Sequence, residues 1–270
     1  MSMHGFIPPH RFFPYLTWPM VEAMPNKENV VMIQPAGAIE QHGPHLPLVV
    51  DAAIAVGVLG KALSHLPETI PAYALPPIYY GKSNEHWHFP GTITISAQTL
   101  RQLLLESAES LYRAGFRKLV WINAHGGQPQ VFEMAARDLH QQYPDLMVFP
   151  LFTWQVPNQA ADLLTPKELE LGIHAGDAET SLMLSLLPEY VQMDKALCEY
   201  PQGLPEESLL SMEGALPFAW VTRDLTRSGV LGDATAATRE KGDRLLQSLT
   251  AGWVRLIQDV HRFQQPAAWQ

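Results

Sequence analysis

An α/β fold, three layers deep with a mostly parallel sheet between helices, is what this 270-residue sequence predicts. Short apolar, β-branched runs recur along the chain, and stretches with helical apolar spacing separate them. Polar clusters follow directly after two of the runs, where ligand sites of parallel sheets lie. Val30-Val31-Met32-Ile33 is the first buried strand, feeding a loop at Pro35-Ala36-Gly37. A helix follows Asp51, because Ala52, Ile54, Ala55, Val58, Leu59, Leu63 and Leu66 recur at helical spacing. Ser96 suits the N-cap of the next helix, whose stripe is Leu100, Leu103, Leu104, Ala108 and Leu111, and Gly115 stops it. Residues 119–122 are the second strand, ending at Asn123-Ala124-His125-Gly126-Gly127. Pro129 fits the first position of a helix running to about His140. Residues 146–149 are the third strand, and residues 179–187 are helical up to Pro188. Asp233 is the expected cap of a long final helix reaching about Phe263. No repeat, low-complexity tract or Gly/Ser linker divides the chain, so one domain is expected over 1–270, with its core at about 30–262.

Composition narrows the class. Apolar residues make up 47% and charged residues 17%, which excludes a disordered chain and a coiled coil. Lys and Arg number 18 against 27 Asp and Glu, a formal charge of −9, and this argues against nucleic acid as a partner. No apolar run approaches a membrane span, and Met1-Ser2-Met3-His4-Gly5-Phe6 lacks the basic and apolar regions of a secretory leader. Cys198 is the only cysteine and is read as packing. The expectation is a soluble cytoplasmic protein acting on a small molecule, with no membrane partner.

Histidine is the unusual count. Of eleven, His42, His45, His86, His88, His125 and His174 fall in short polar stretches, and imidazole is the commonest protein ligand of transition metals. Glu40 and His42 are two apart, so extended backbone puts them on one face. Pro44 and Pro47 keep this stretch from being helical, which excludes the paired ligands of a helical His-Glu-x-x-His protease. With Asp51, these oxygen and nitrogen donors suit Zn²⁺ or Mn²⁺. Taken singly, Glu40 also fits a solvated loop charge, His42 a loop histidine and Asp51 a helix N-cap. Their coincidence with two further histidine-rich loops favours a site. Gly81-Lys82-Ser83 is not the end of a phosphate loop, because Pro76 stands where a glycine is needed. No Gly-x-Ser-x-Gly nucleophile elbow occurs.

The segment Gly37-Ala38-Ile39-Glu40-Gln41-His42-Gly43-Pro44-His45-Leu46-Pro47, with Asp51 following, resembles the first metal-binding motif of the creatininase (creatinine amidohydrolase) family. The resemblance continues through Gly81-Lys82-Ser83-Asn84-Glu85-His86 with Phe89-Pro90-Gly91-Thr92, then Asn123-Ala124-His125-Gly126-Gly127. It ends with His174-Ala175-Gly176-Asp177-Ala178-Glu179-Thr180-Ser181 and Gly229-Val230-Leu231-Gly232-Asp233, so it spans about residues 30 to 245.

The resemblance implies a creatininase-like three-layer fold, a homo-oligomer that is often a hexamer, and a hydrolase site holding two divalent cations, Zn and/or Mn. By position, Glu40 and His125 would bind one metal, His42 the other, and Asp51 would bridge them. Creatininase has a glutamate ligand two residues after the histidine of its central motif, where this chain has Gly127. Glu179 is the candidate replacement, against a simple role complementing the helix dipole, and Asp177 before it is read as the N-cap. Five residues turn a helix by about 140°, so His174 cannot share a face with Glu179 and is placed on the preceding loop. In the family the matching histidine transfers protons; otherwise His174 is a loop histidine bonded to backbone. Ser83 and His86 are read as pocket walls or else surface loop, Trp154 as pocket wall or core, and Gly126 and Gly127 as points of close backbone approach to metals and substrate.

The expected reaction is hydrolysis of a C–N bond in a small cyclic or formyl amide by a metal-bridging hydroxide, with His174 protonating the leaving nitrogen. Two departures, Gly127 and the absence of a tryptophan shortly before His174, point away from creatinine itself. Relatives of this kind include a hydrolase of a cyclic inosose, which cleaves a C–C bond, so a cyclic ketone is the alternative substrate. A non-catalytic metal-binding regulator on the same scaffold is the alternative outside enzymes.

Overall fold

Four parallel strands in the order β2-β1-β3-β4 form the central sheet: β1 (Val31–Ala36), β2 (Ala72–Ala74), β3 (Lys118–Asn123) and β4 (Met147–Phe152). The register pairs Val31 with Ala72 and Lys118, and Lys118 with Met147. The structure, a computed structural model, describes residues 3–202 and 208–266.

Strand alternation sends successive side chains to opposite faces and builds two cores. Val31, Ile33, Val120 and Ile122 pack beneath α1 (Val50–His65), α4 (Asp177–Leu186) and α5 (Arg239–Arg262). Val30, Met32, Leu119 and Trp121 pack against α2 (Ala97–Arg113) and α3 (Pro129–Gln142). This is the expected three-layer α/β/α arrangement. Among the described residues, no helix is long and apolar enough to cross a membrane.

Ser96 caps α2 by accepting from the Thr99 N–H at 3.1 Å, and Pro129 opens α3. Elsewhere the boundaries move. β1 runs on through Pro35, which stands past the last β1–β2 pair, Ile33 with Ala74, where its missing N–H breaks no ladder bond to β2. β2 was not expected, because Ala72-Tyr73-Ala74 lies among prolines and is too short to show a pattern.

Two expected caps are corrected. Asp233 belongs to β6 (Gly232–Asp233), which pairs antiparallel with β5 (Cys198–Glu199), and it caps only the short turn Ala234–Ala236. The cap of α5 is Thr238, whose Oγ1 accepts from the Lys241 N–H at 3.2 Å, because the chain is extended at Ala237 and restarts the helix there. Asp177 is likewise the first residue of α4, with Gly176 at the N-cap.

The capping work for Asp177 is done by buried Glu168 from the short helix Pro166–Leu171. Glu168 accepts from the Asp177 N–H at 2.7 Å, the Asp233 N–H at 2.9 Å and the Tyr200 hydroxyl at 2.8 Å. It thereby ties α4 to β6 and to residue 200. Glu168→Ala leaves three donors without an acceptor and is expected to cost about 3 kcal/mol. For a chain of this size that lowers the melting temperature by roughly 6–12 °C. Thermal unfolding followed by circular dichroism checks it, and a fall under 2 °C refutes the role.

Candidate metal centre

Three loops converge beyond the carboxyl ends of β1 and β3. The first leaves β1 through Gly37, where a Cβ would lie 2.7 Å from Ala52 Cα, so only glycine lets the loop cross the start of α1. It carries Glu40 and His42, and Asp51 sits in the first turn of α1; Val49, not Asp51, holds the N-cap position. The second leaves β3 at Asn123, whose amide folds around the His125 backbone: Nδ2 donates to His125 O at 2.8 Å and Oδ1 accepts from His125 N–H at 3.0 Å. Gln128 ties the loops together, donating to Asn123 Oδ1 and Gly37 O and accepting from the Lys82 N–H. The third carries His174, paired through its backbone with Leu231, and Glu179 in the first turn of α4. Between them Ala175 is left-handed at φ 52°, a strained state for alanine, and its N–H donates to Glu179 Oε2 at 2.6 Å.

Asp51 stands at the centre. Its Oδ1 lies 3.4 Å from His42 Nε2, and its Oδ2 lies 3.4 Å from His125 Nδ1. Glu40 Oε2 is 3.2 Å from the same His125 nitrogen, while Glu179 Oε2 is 3.8 Å from His42 Nε2. Two donor sets follow, Glu40–Asp51–His125 and His42–Asp51–Glu179, each with its atoms within 4.8 Å of one another. A third such set is Glu40–His42–His174.

Hydrogen bonds on the far side of each ring fix which nitrogen is free. His42 Nδ1 donates to the Glu40 carbonyl at 3.2 Å, leaving Nε2 with its lone pair toward the carboxylates. His125 Nε2 donates to the Lys82 carbonyl at 2.9 Å, leaving Nδ1 toward Glu40 and Asp51. Among the described residues, Glu40 Oε1, His42 Nε2 and Asp51 Oδ2 are buried without hydrogen-bond partners. Buried carboxylate and imidazole groups crowded together in this way are costly unless a cation, a proton or a metal ion, lies among them. This donor set of carboxylate oxygen and imidazole nitrogen therefore fits divalent metal ions.

The titration of these groups carries the same signature. Burial alone would lower the His42 pKa, but Asp51, Glu179 and Glu40 outweigh it and raise it to about 9. Burial opposes the His125 charge too, and Glu40 and Asp51 drive its pKa well above 6.5. Burial, then the charges of Asp51 and Glu40, raises Glu179 to about 7 against the pull of His42. A metal needs neutral imidazole and ionised carboxylate, so uptake near pH 7 must expel the protons of His42 and His125 and the part-proton of Glu179, between two and three per chain. Affinity is therefore expected to strengthen as pH rises from about 6 toward about 9, roughly tenfold per pH unit for each proton displaced. Calorimetric titration in buffers of different ionisation enthalpy counts the protons; release of fewer than one contradicts the assignment.

His174 lies apart from the two sets that share Asp51. Its Nε2–H donates to the Gln41 carbonyl at 2.7 Å, so Nδ1, 3.8 Å from Glu40 Oε1, is the free nitrogen. Burial and the nearby charges of His42 and His86 push its pKa well below 6.5. His86 stacks on it with ring centroids 4.2 Å apart, accepts from Gln41 Nε2 at 2.8 Å, and presents Nε2 3.3 Å from Glu40 Oε1.

The structure thus brings Glu40, His42, Asp51, His125, His174, Glu179 and His86 into one cluster. Ser83 is also there, but behind Glu40: its buried hydroxyl donates to Glu40 Oε2. Gly126 and Gly127 lie beside His125, and Trp154 packs half-buried against the α1–α4–α5 core. His88 is exposed. Sequence reasoning missed Gln41 and Gln128 as organisers, and it missed two carboxylates. Glu85 Oε1 lies 3.1 Å from His125 Nε2, and Glu213 Oε1 lies 3.4 Å from where a Cβ of Gly126 would stand. Glu85 directly precedes His86 in Gly81-Lys82-Ser83-Asn84-Glu85-His86, whereas no local pattern singles out Glu213.

An α/β sheet with clustered carboxylates and imidazoles at its carboxyl edge defines a class of protein with a site able to hold metal. The match to known proteins is more particular: residues 14–257 fit the family model described as creatinine amidohydrolase, and the chain belongs to the creatininase family of hydrolases. It is 34% identical over 255 residues to a mycofactocin precursor peptide peptidase of Mycobacterium ulcerans, covering 89% of this chain and 85% of the relative. It is 30% identical over 261 residues to a creatinine amidohydrolase of Pseudomonas putida, covering 90% and 95%. A 3-dehydro-scyllo-inosose hydrolase of Thermotoga maritima is 27% identical over 252 residues, covering 87% and 78%. Among solved structures, a mutant creatininase of Zn–Zn type superposes with TM-score 0.75 at 28% identity, covering 93% of this chain and 98% of that one. A manganese creatininase superposes with TM-score 0.73 at 26% identity, covering 93% and 99%.

Proposed function

We propose that residues 1–270 act as one dinuclear metal-dependent amidohydrolase that cleaves a C–N bond of a small cyclic or formyl amide. The observation that carries this reading is the division of Asp51, one oxygen toward His42 and the other toward His125. Glu40 and His125 would hold one Zn or Mn ion, His42 and Glu179 the other, and Asp51 both. When bound, such a pair supplies Lewis acidity and an ionised water at neutral pH, since a cation lowers the pKa of water from 15.7 to about 7.

The chain's own residues do the rest. Ser83 and His86 orient the Glu40 carboxylate from behind. The Gln41 carbonyl fixes the proton of His174 on Nε2, so Nδ1 is the atom that takes a proton from the attacking water and returns it to the leaving nitrogen. The buried walls keep bulk water from competing for these groups. A second reading, hydrolysis of a cyclic ketone, is supported by the relative that acts on 3-dehydro-scyllo-inosose. Assembly into a cytoplasmic homo-oligomer belongs to the same proposal and is read by light scattering.

Elemental analysis of protein purified without chelator is the first test, with two Zn or Mn ions per chain expected. The metal-loaded protein is then offered formamides, lactams, short peptides and cyclic ketones. Turnover of a formamide or a lactam supports the reading, and turnover of the peptides alone replaces its substrate class by a linear amide. Absence of metal, or turnover of the ketone alone, overturns it.

A further inference from the structure

We infer that Glu85 is a positioning residue that holds the ring of His125 from behind, and that position 127 is glycine in order to admit it. The inference rests on the metal centre proposed above. His125 turns Nδ1 toward Glu40 and Asp51, so the state of its opposite nitrogen decides whether Nδ1 is free to act as a ligand. Three oxygens meet that opposite nitrogen: the Lys82 carbonyl at 2.9 Å, Glu85 Oε1 at 3.1 Å and the Ser83 hydroxyl at 3.2 Å, and of these only Glu85 carries a charge. A carboxylate at this edge keeps the proton on Nε2 and makes Nδ1 a stronger donor to a cation.

Glu85 is itself held. Only 9% of its side chain is exposed, and Lys82 Nζ grips Oε2 at 3.0 Å while also donating to the Gly127 carbonyl at 3.1 Å. The Thr222 hydroxyl donates to the Glu85 backbone carbonyl at 2.9 Å and fixes the turn that carries it. Among the described residues, Oε1 has no hydrogen-bond partner besides this approach to the imidazole. A Cβ built on Gly127 would overlap that oxygen and stand 2.6 Å from both Glu85 Cδ and His125 Nε2. Any side chain at 127 therefore evicts the carboxylate, and the two positions are coupled through one volume.

Calorimetric titration of Mn²⁺ into the metal-free whole protein separates the possibilities. The variants are Glu85→Ala, Glu85→Gln and Gly127→Ala. Wild type is expected to bind two ions. Glu85→Ala should weaken one of them by about 10–100-fold, the usual effect of removing a partner behind a ligand, and leave the other within a factor of about two. Glu85→Gln keeps an acceptor for the Nε2 proton and should recover part of the loss. Gly127→Ala, whose Cβ displaces the carboxylate and also crowds His125 Nε2 at 2.6 Å, should weaken the same ion at least as much as Glu85→Ala and leave the other within a factor of about two. Equal weakening of both ions, or two ions bound as in wild type by both Glu85→Ala and Gly127→Ala, overturns the inference. A wild type that binds no ion overturns the metal centre instead.

Discussion

Asp51→Ala is expected to strip both metal ions from the protein and abolish turnover with them. The two donor sets have Asp51 in common, and its oxygens face different imidazoles, so its removal leaves each set with two donors and no anionic link between them. Two cations held close together repel, and a shared carboxylate offsets that repulsion. Glu179→Gln, by contrast, should affect only the ion beside His42, because Glu40, Asp51 and His125 remain. Without the cations, water returns to a pKa of about 15.7 and turnover falls to the uncatalysed background. A second readout does not depend on the reaction. Metal at about 1,000 times its dissociation constant stabilises a folded protein by about 4 kcal/mol, or roughly 10 °C in melting temperature for a chain of this size. Wild type should show that shift with Zn or Mn, and Asp51→Ala and the isosteric Asp51→Asn should not. Either variant holding two ions and turning over substrate would falsify the assignment.

Why Asp51 was legible from sequence, while its supporting cast was not, has a physical answer. Glu40, His42 and Asp51 lie on one strand-to-helix connection, and His125 follows the next long strand, so the topology of a parallel sheet brings them to one edge. Glu179 was reached through the resemblance, because Gly127 left a position without a carboxylate. The structure puts Glu179 3.8 Å from His42. Glu85 carries no local ligand pattern, since its partner is 40 residues away and the link is the empty volume above a glycine. Gln128 has no ligand chemistry to mark it in the sequence, yet it joins three loops through one amide. The same blindness produced the cap errors. Asp233 and Thr238 both have cap chemistry, and the extended backbone at Ala237 decides between them. Local pattern finds elements and ligand-type residues, whereas long-range hydrogen bonds, which carry no periodicity, set the geometry.

His174→Ala separates chemistry from metal retention. Its Nε2 is committed to the Gln41 carbonyl, and its Nδ1 is 3.8 Å from Glu40 Oε1, outside both sets that share Asp51. The variant is expected to keep two ions and the full metal-induced rise in melting temperature, yet lose about 10²–10⁴-fold in kcat. The size of the loss should track the leaving group. An amide of an alkylamine needs a proton on its departing nitrogen as the bond breaks, so it should lose most; a nitroanilide, whose departing nitrogen is far less basic and depends less on that proton transfer, should lose less. A ligand role for His174, which the set Glu40–His42–His174 allows, predicts the reverse: metal content falls and both substrates suffer alike. A protein that only carries metal predicts no turnover in either form. Loss of metal from His174→Ala, or a kcat within a factor of about ten of wild type for the alkylamide, therefore ends the proton-transfer assignment.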